Sequence, residues 1–184
     1  KAVDSFYKDT VSSMPINYKI NYCESLIFRT YADINLCKCK IKKIKLKKHD
    51  QLFLLGDFID RGRQGKEVLD KVISLIDSGY EVYPLRGNHE EMLLDSHRSI
   101  EEGDKRKVPT LGKTKGIRDE NRKILPQYLK LLEKLPYFYK LDDYLLVHGG
   151  FDFSKPKPFK DHESMLWIRK FEIDLELTKG RTII

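Results

Sequence analysis

Residues 51–55 (QLFLL) most constrain how this chain can fold, because a short apolar run cut off by Gly56-Asp57 predicts a buried strand ending in a tight turn. The pattern repeats. Residues 80–85 (YEVYPL) predict a second strand, with Pro84 at an edge or breaking its ladder, and Arg86-Gly87-Asn88-His89-Glu90 follows. Residues 137–141 and 144–147 predict two more strands around Asp142-Asp143, and the second of them runs into His148-Gly149-Gly150.

Helical spacing fills the intervals. Val68, Leu69, Val72, Ile73 and Ile76 predict a helix over 64–78, with Gly79 as its stop. Residues 90–100 predict a second helix, and Ile124, Leu125, Tyr128, Leu129 and Leu132 predict a third over 121–135. Residues 101–120, rich in Lys, Gly and Asp and without a period, predict an exposed loop. Residues 1–28 show no period and predict an irregular N-terminal segment. Strands alternating with helices predict an α/β domain over 29–184, a central β-sheet with flanking helices.

In such sheets ligands gather beyond the carboxyl ends of the strands. Three strand ends here carry Asp57, Asn88-His89 and His148, oxygen and nitrogen donors suited to divalent metals. Taken singly, Asp57 would more often be a cap, and Asn88 or His148 a satisfied polar group. Their recurrence at three strand ends favours a shared site. His49 and His97 lie outside these turns and are expected on the surface.

Composition narrows the function classes. A chain of 184 residues suits one hydrophobic core, and no run of about 18 uncharged apolar residues predicts a membrane span. Lys1 to Thr10 lacks the pattern of a secretory signal, and a first residue of Lys rather than Met leaves open a fragment of a longer protein. The three cysteines form no even framework, which fits a reducing compartment and sets the expected location as cytoplasmic. Cys37-Lys38-Cys39 lacks a second pair and reads as two ordinary thiols. The net charge is +7, and seven lysines crowd residues 38–48. Ile41, Ile44 and Leu46 supply a buried side to that run and no aromatic residue interleaves it, so a solvated helix face is expected rather than nucleic-acid binding.

Gly56-Asp57-Phe58-Ile59-Asp60-Arg61-Gly62, then Arg86-Gly87-Asn88-His89-Glu90, then Val147-His148-Gly149-Gly150 resemble the motifs of the calcineurin-like metallophosphoesterases. Within them the resemblance is to Ser/Thr protein phosphatases of bacterial and phage type, and it covers residues 51–169. It implies a four-layer sandwich. It also implies phosphate-ester hydrolysis with two divalent metal ions (Mn, Fe or Zn) and a metal-activated water. The implied partner is a phosphoprotein bearing phosphoserine or phosphothreonine, or a small phosphate ester, dinucleotide polyphosphates included. Asp57 would bridge the metals, and Asn88 and His148 would bind the second. His89 would protonate the leaving alkoxide, with Asp60 holding its ring, and Arg61 would bind phosphate oxygens. Arg169 resembles a second phosphate-binding arginine, and Trp167 beside it is expected to pack rather than touch ligand.

These residue types suit the chemistry. A carboxylate has two oxygens and a full charge with which to bridge two cations, and metal-bound water ionises near neutral pH. A basic leaving alkoxide gains from a positioned imidazolium. Arginine's planar fork matches two phosphate oxygens.

The resemblance also has gaps. Asp33-Ile34-Asn35 stands where the family carries Asp-x-His, and no Gly-His-Thr follows Arg181. A carboxamide is a poorer ligand than imidazole for these metals. His162 has the wrong context to replace the later histidine. The fold is therefore expected to be incomplete at both ends and the chain weakly active. The alternative is a catalytically impaired remnant that binds a phosphoprotein or another partner.

Overall fold

The computed structural model describes residues 45–60, 62–104 and 114–184. The expectations for residues 1–28, for Asp33 and Asn35, for the cysteines and for Arg61 lie outside the described residues.

Strand β1 (Gln51–Leu54) pairs in parallel with β2 (Glu81–Pro84), setting Phe53 opposite Tyr83. Helix α1 (Gly65–Asp77) makes the crossover that a parallel pair requires. Helix α2 (Asn88–Glu101) follows β2, and α3 (Pro126–Lys134) leads into a second sheet. That sheet has the order β3-β4-β5, with β3 (Phe138–Lys140) antiparallel and β5 (Thr182–Ile183) parallel to β4 (Tyr144–Val147). Short helices α4 (His162–Trp167) and α5 (Leu175–Thr178) lie between β4 and β5.

The two-residue period of the strands produces four layers. Leu52 and Leu54 of β1 face the helices and pack with Val68, Leu69, Leu93, Tyr128 and Leu132. Phe53, alternating with them, faces the second sheet and packs with Leu55, Leu85, Tyr144 and Leu146. On β4, Leu145 and Val147 point the other way, against Phe151 and Met165. Each fully buried side chain of this size contributes about 1.5–3 kcal/mol. A one-residue slip of β1 would exchange its two faces and forfeit several such terms, so the register of the strand carrying Asp57 is firmly set.

Several expectations need correction. The third helix begins at Pro126 rather than at residue 121. Proline lacks an N–H and suits the first helical position, while residues 115–124 form the bridges Lys115–Arg118 and Arg118–Ile124 instead. His97 is not on the surface; it is 6% exposed, and its Nδ1 accepts the Ile124 backbone N–H at 3.1 Å. His49 is exposed as expected. Trp167 is 50% exposed and packs less than expected. Residues 45–50 are turns rather than a helix, with Lys45 at φ 54° and Leu46 packed on the core. Among the described residues no helix is long and apolar enough to cross a membrane.

Candidate active site

The turn after β1 is strained and braced. Gly56, Asp57 and Asp60 have φ of 78°, 60° and 63°. For a non-glycine residue this left-handed region costs on the order of 1–3 kcal/mol and persists only when the surroundings impose it. Two things impose it here. Phe58 and Ile59, both fully buried in the core, anchor the middle of the turn between Asp57 and Asp60. The Glu90 carboxylate accepts the backbone N–H of Asp57 and of Phe58 at 2.8 Å each, and that of Ile59 at 3.3 Å.

Glu90 occupies the third position of α2 and also accepts the Gly87 N–H at 2.9 Å, satisfying a helix-start donor. It is fully buried. Burial, then the charge of Asp57, push its pKa up to about 7, against the pull of its backbone donors. The sequence motif contains Glu90, but its bracing role was not anticipated; glutamate three residues after a glycine N-cap was the available signal. Gly87 is required by space. A Cβ there would lie 2.5 Å from Asp57 N and 2.6 Å from both Asp57 Oδ1 and Glu90 Oε2.

Asp57, Asn88 and His148, 3%, 3% and 1% exposed, converge from the ends of β1, β2 and β4. His148 Nε2 lies 2.9 Å from Asn88 Oδ1 and 3.5 Å from Asp57 Oδ1. Its Nδ1 lies 2.7 Å from the Leu55 carbonyl oxygen, and a carbonyl only accepts, so Nδ1 carries the proton. Nε2 is thus the ring atom turned toward two oxygens, and it offers them a lone pair whenever the ring is neutral. Such an array calls for a positive centre among the three, a proton or a cation, and its donors are of the kind divalent metals take. The three side chains thus fit a metal. They are one carboxylate, one imidazole and one amide, and no group of three or more His, Cys, Asp or Glu gathers among the described residues.

His89 follows Asn88 on the first turn of α2, and its Nδ1 donates to Asp60 Oδ2 at 3.2 Å. Both side chains are partly exposed, at 14% and 18%. Arg169 lies against Gly149, the residue after His148. Its Nη1 donates to the Leu166 and Ile168 carbonyls at 3.1 Å each and would lie 2.9 Å from a Cβ on Gly149, next to His148. Arg86, by contrast, is structural. It bonds Glu91 at 2.7 Å, Tyr137 Oη at 3.1 Å and the carbonyls of Leu132 and Glu133, which fixes the start of α2 against α3. Five expected residues, Asp57, Asn88, His148, His89 and Asp60, are thus together, with Arg169 at their margin.

Over 108 residues the chain is 35% identical to an asymmetrical bis(5'-nucleosyl)-tetraphosphatase, PrpE, of Anoxybacillus flavithermus. The match takes in 54% of this chain and 42% of that protein, so the chain spans less than half the length of the curated relative. No solved structure matches the chain. The family model for calcineurin-like phosphoesterases, a family of metal-dependent hydrolases, matches residues 29–184 and takes in all three strand ends, and the chain belongs to that family.

Proposed function

We propose that the chain hydrolyses phosphate esters with the aid of two divalent metal ions held by Asp57, Asn88 and His148 together with further ligands. The observation that supports this most is the His89–Asp60 pair, 3.2 Å apart, standing beside the three-donor cluster. When bound, divalent ions supply an ionised water and positive charge for the phosphoryl oxygens. The chain's own residues do the rest. Asp60 fixes the imidazole of His89 by accepting its Nδ1 proton, and His89 gives a proton to the leaving oxygen. Arg169 orients the phosphoryl group, and Arg61 joins it on the strength of its motif. Glu90 holds the Asp57 turn in place, so the carboxylate need not reorganise.

An acid–carboxylate pair suits a basic leaving group such as the alkoxide of serine or threonine, which supports a phosphoprotein substrate. A second reading has a specific support: the matching relative is a bis(5'-nucleosyl)-tetraphosphatase, which favours a nucleoside polyphosphate. The purified chain with Mn2+ is to be assayed on p-nitrophenyl phosphate, a phosphoserine peptide and diadenosine tetraphosphate. Mn2+-dependent turnover that His148→Ala abolishes is expected. No turnover on any of the three, with metal bound, would leave the non-catalytic remnant as the better reading.

A further inference from the structure

The loop that leaves β4 and the segment between α4 and α5 enclose a cavity of about 520 Å³ that the reaction above does not use. Phe153 lines it from the loop, and Ile168, Phe171 and Ile173 line it from the segment. Gly150 lets the two come together. A Cβ on Gly150 would fall onto the Phe171 ring and lie 2.9 Å from Ile168 Cγ2. The Phe171 ring also lies against Phe153, with centroids 6.4 Å apart. Gly150 is two residues from His148, and the lining residues Ile168 and Lys170 flank Arg169. Two extended residues span at most about 7 Å, so the cavity adjoins the place given above to the phosphoryl group.

Two features select an occupant. The first is charge. Asp152, Glu172 and Asp174 line the cavity, with Lys170 as its one cation among the described residues, in a chain of net charge +7. Local turns hold two of these carboxylates in place: Asp152 Oδ1 accepts the Ser154 N–H at 3.1 Å, and Asp174 Oδ1 accepts the Leu177 N–H at 2.8 Å. A polyphosphate would meet three carboxylates here. A guanidinium would meet carboxylates and two phenyl rings, the partners that arginine takes. The second feature is apolar exposure. Trp167, Ile173, Leu175 and Leu177 are 50%, 54%, 72% and 44% exposed, all within the stretch that walls the cavity. Among the described residues only Ile76 is a comparably exposed large apolar side chain elsewhere. Apolar exposure concentrated in this way marks contact with a macromolecule rather than with a small ester.

We propose that the cavity is a subsite for an arginine side chain flanking the phosphorylated residue of a polypeptide substrate, with residues 167–177 as the surface on which that polypeptide lies. This rests on the hydrolytic reading of the adjoining site and adds to it a sequence preference around the phosphorylated residue.

The test measures the binding of labelled peptides to the full chain by fluorescence anisotropy in Mn2+ buffer. Each peptide carries a central phosphoserine analogue with CF2 in place of the bridging oxygen, so it is not hydrolysed. Arginine, alanine or glutamate flanks it on both sides. The wild type is expected to bind the arginine peptide about tenfold more tightly than the alanine peptide, and the glutamate peptide most weakly. Salt should shrink the preference, because exposed charges are screened. Glu172→Lys is expected to cut it to about twofold or less. Glu172 is exposed, so this variant should keep the wild-type unfolding midpoint. Glu172→Gln, with an intermediate preference expected, arbitrates if the lysine variant folds poorly. Leu175→Ser should weaken all three peptides alike. A wild type without the arginine preference, absence of binding included, or a folded Glu172→Lys variant that retains it, overturns the proposal. Self-association that Leu175→Ser abolishes while peptide binding is unaltered would give the apolar surface to a second copy of the chain and also overturn it. The preference without turnover of phosphoserine peptides would defeat only the hydrolytic reading, whereas turnover without the preference would defeat this inference alone.

Discussion

The Glu90 carboxylate accepts the Asp57 backbone N–H at 2.8 Å, tying the turn after β1 to the first turn of α2. The same carboxylate serves Phe58, Ile59 and Gly87. Glu90→Ala would strand these buried donors, each worth about 1–3 kcal/mol, so a loss of at least about 3 kcal/mol is expected in urea unfolding. A loss below about 1 kcal/mol would show that water replaces the carboxylate and that the brace is dispensable.

His148 Nε2, facing Asn88 Oδ1 and Asp57 Oδ1, predicts cation-dependent stability. Mn2+ should raise the thermal midpoint of the wild type, by mass action on the folded state. His148→Ala should weaken that response at least about tenfold, since removing a ligand costs affinity on that scale or more. Equal midpoint shifts in the two proteins would place the bound ion elsewhere.

The Asp60–His89 contact predicts a dependence on the leaving group. Asp60→Asn should lower turnover of an alkyl phosphate by about 10²-fold, the low end of general-acid effects. Turnover of p-nitrophenyl phosphate, whose leaving phenolate needs little protonation, should fall much less. Equal losses on the two substrates would assign Asp60 a structural role instead.

Acid should loosen the start of α2. Desolvation pushes Glu91 up, but its bonds to Arg86, Arg98 and Tyr137 outweigh this and hold its pKa below the ordinary 4.5. A carboxylate depressed on folding contributes stability above its unfolded pKa and loses it as pH falls through the folded value. Stability measured by urea unfolding should therefore decline below about pH 4.5, and Glu91→Gln should flatten that decline. A variant as acid-sensitive as the wild type would trace the decline to other carboxylates.

Much of this was legible in order of sequence. The apolar run 51–55 closed by Gly56-Asp57 predicted β1, and β1 is Gln51–Leu54. The spacing of Val68, Leu69 and Val72 predicted α1, and all three are buried along it. Local alternation and helical period report which face a residue will bury, and glycine reports a turn. The donors at three strand ends were visible for the same reason, since strand ends are a local property.

What the sequence by itself determined was the set of elements and the kind of chemistry their ends carry. Only the tertiary structure decided which donors meet. His148 reaches Asn88 across sixty residues of chain because two sheets stack through Phe53, Leu85 and Leu146. His97 is buried because α3 starts late, at Pro126, and sends the Ile124 N–H toward it. Glu90 braces Asp57 through a contact between segments far apart in sequence. The physical reason is common to all three: a pattern of period two or 3.6 describes a chain against its own axis, whereas the partners of a buried polar group are set by packing between elements.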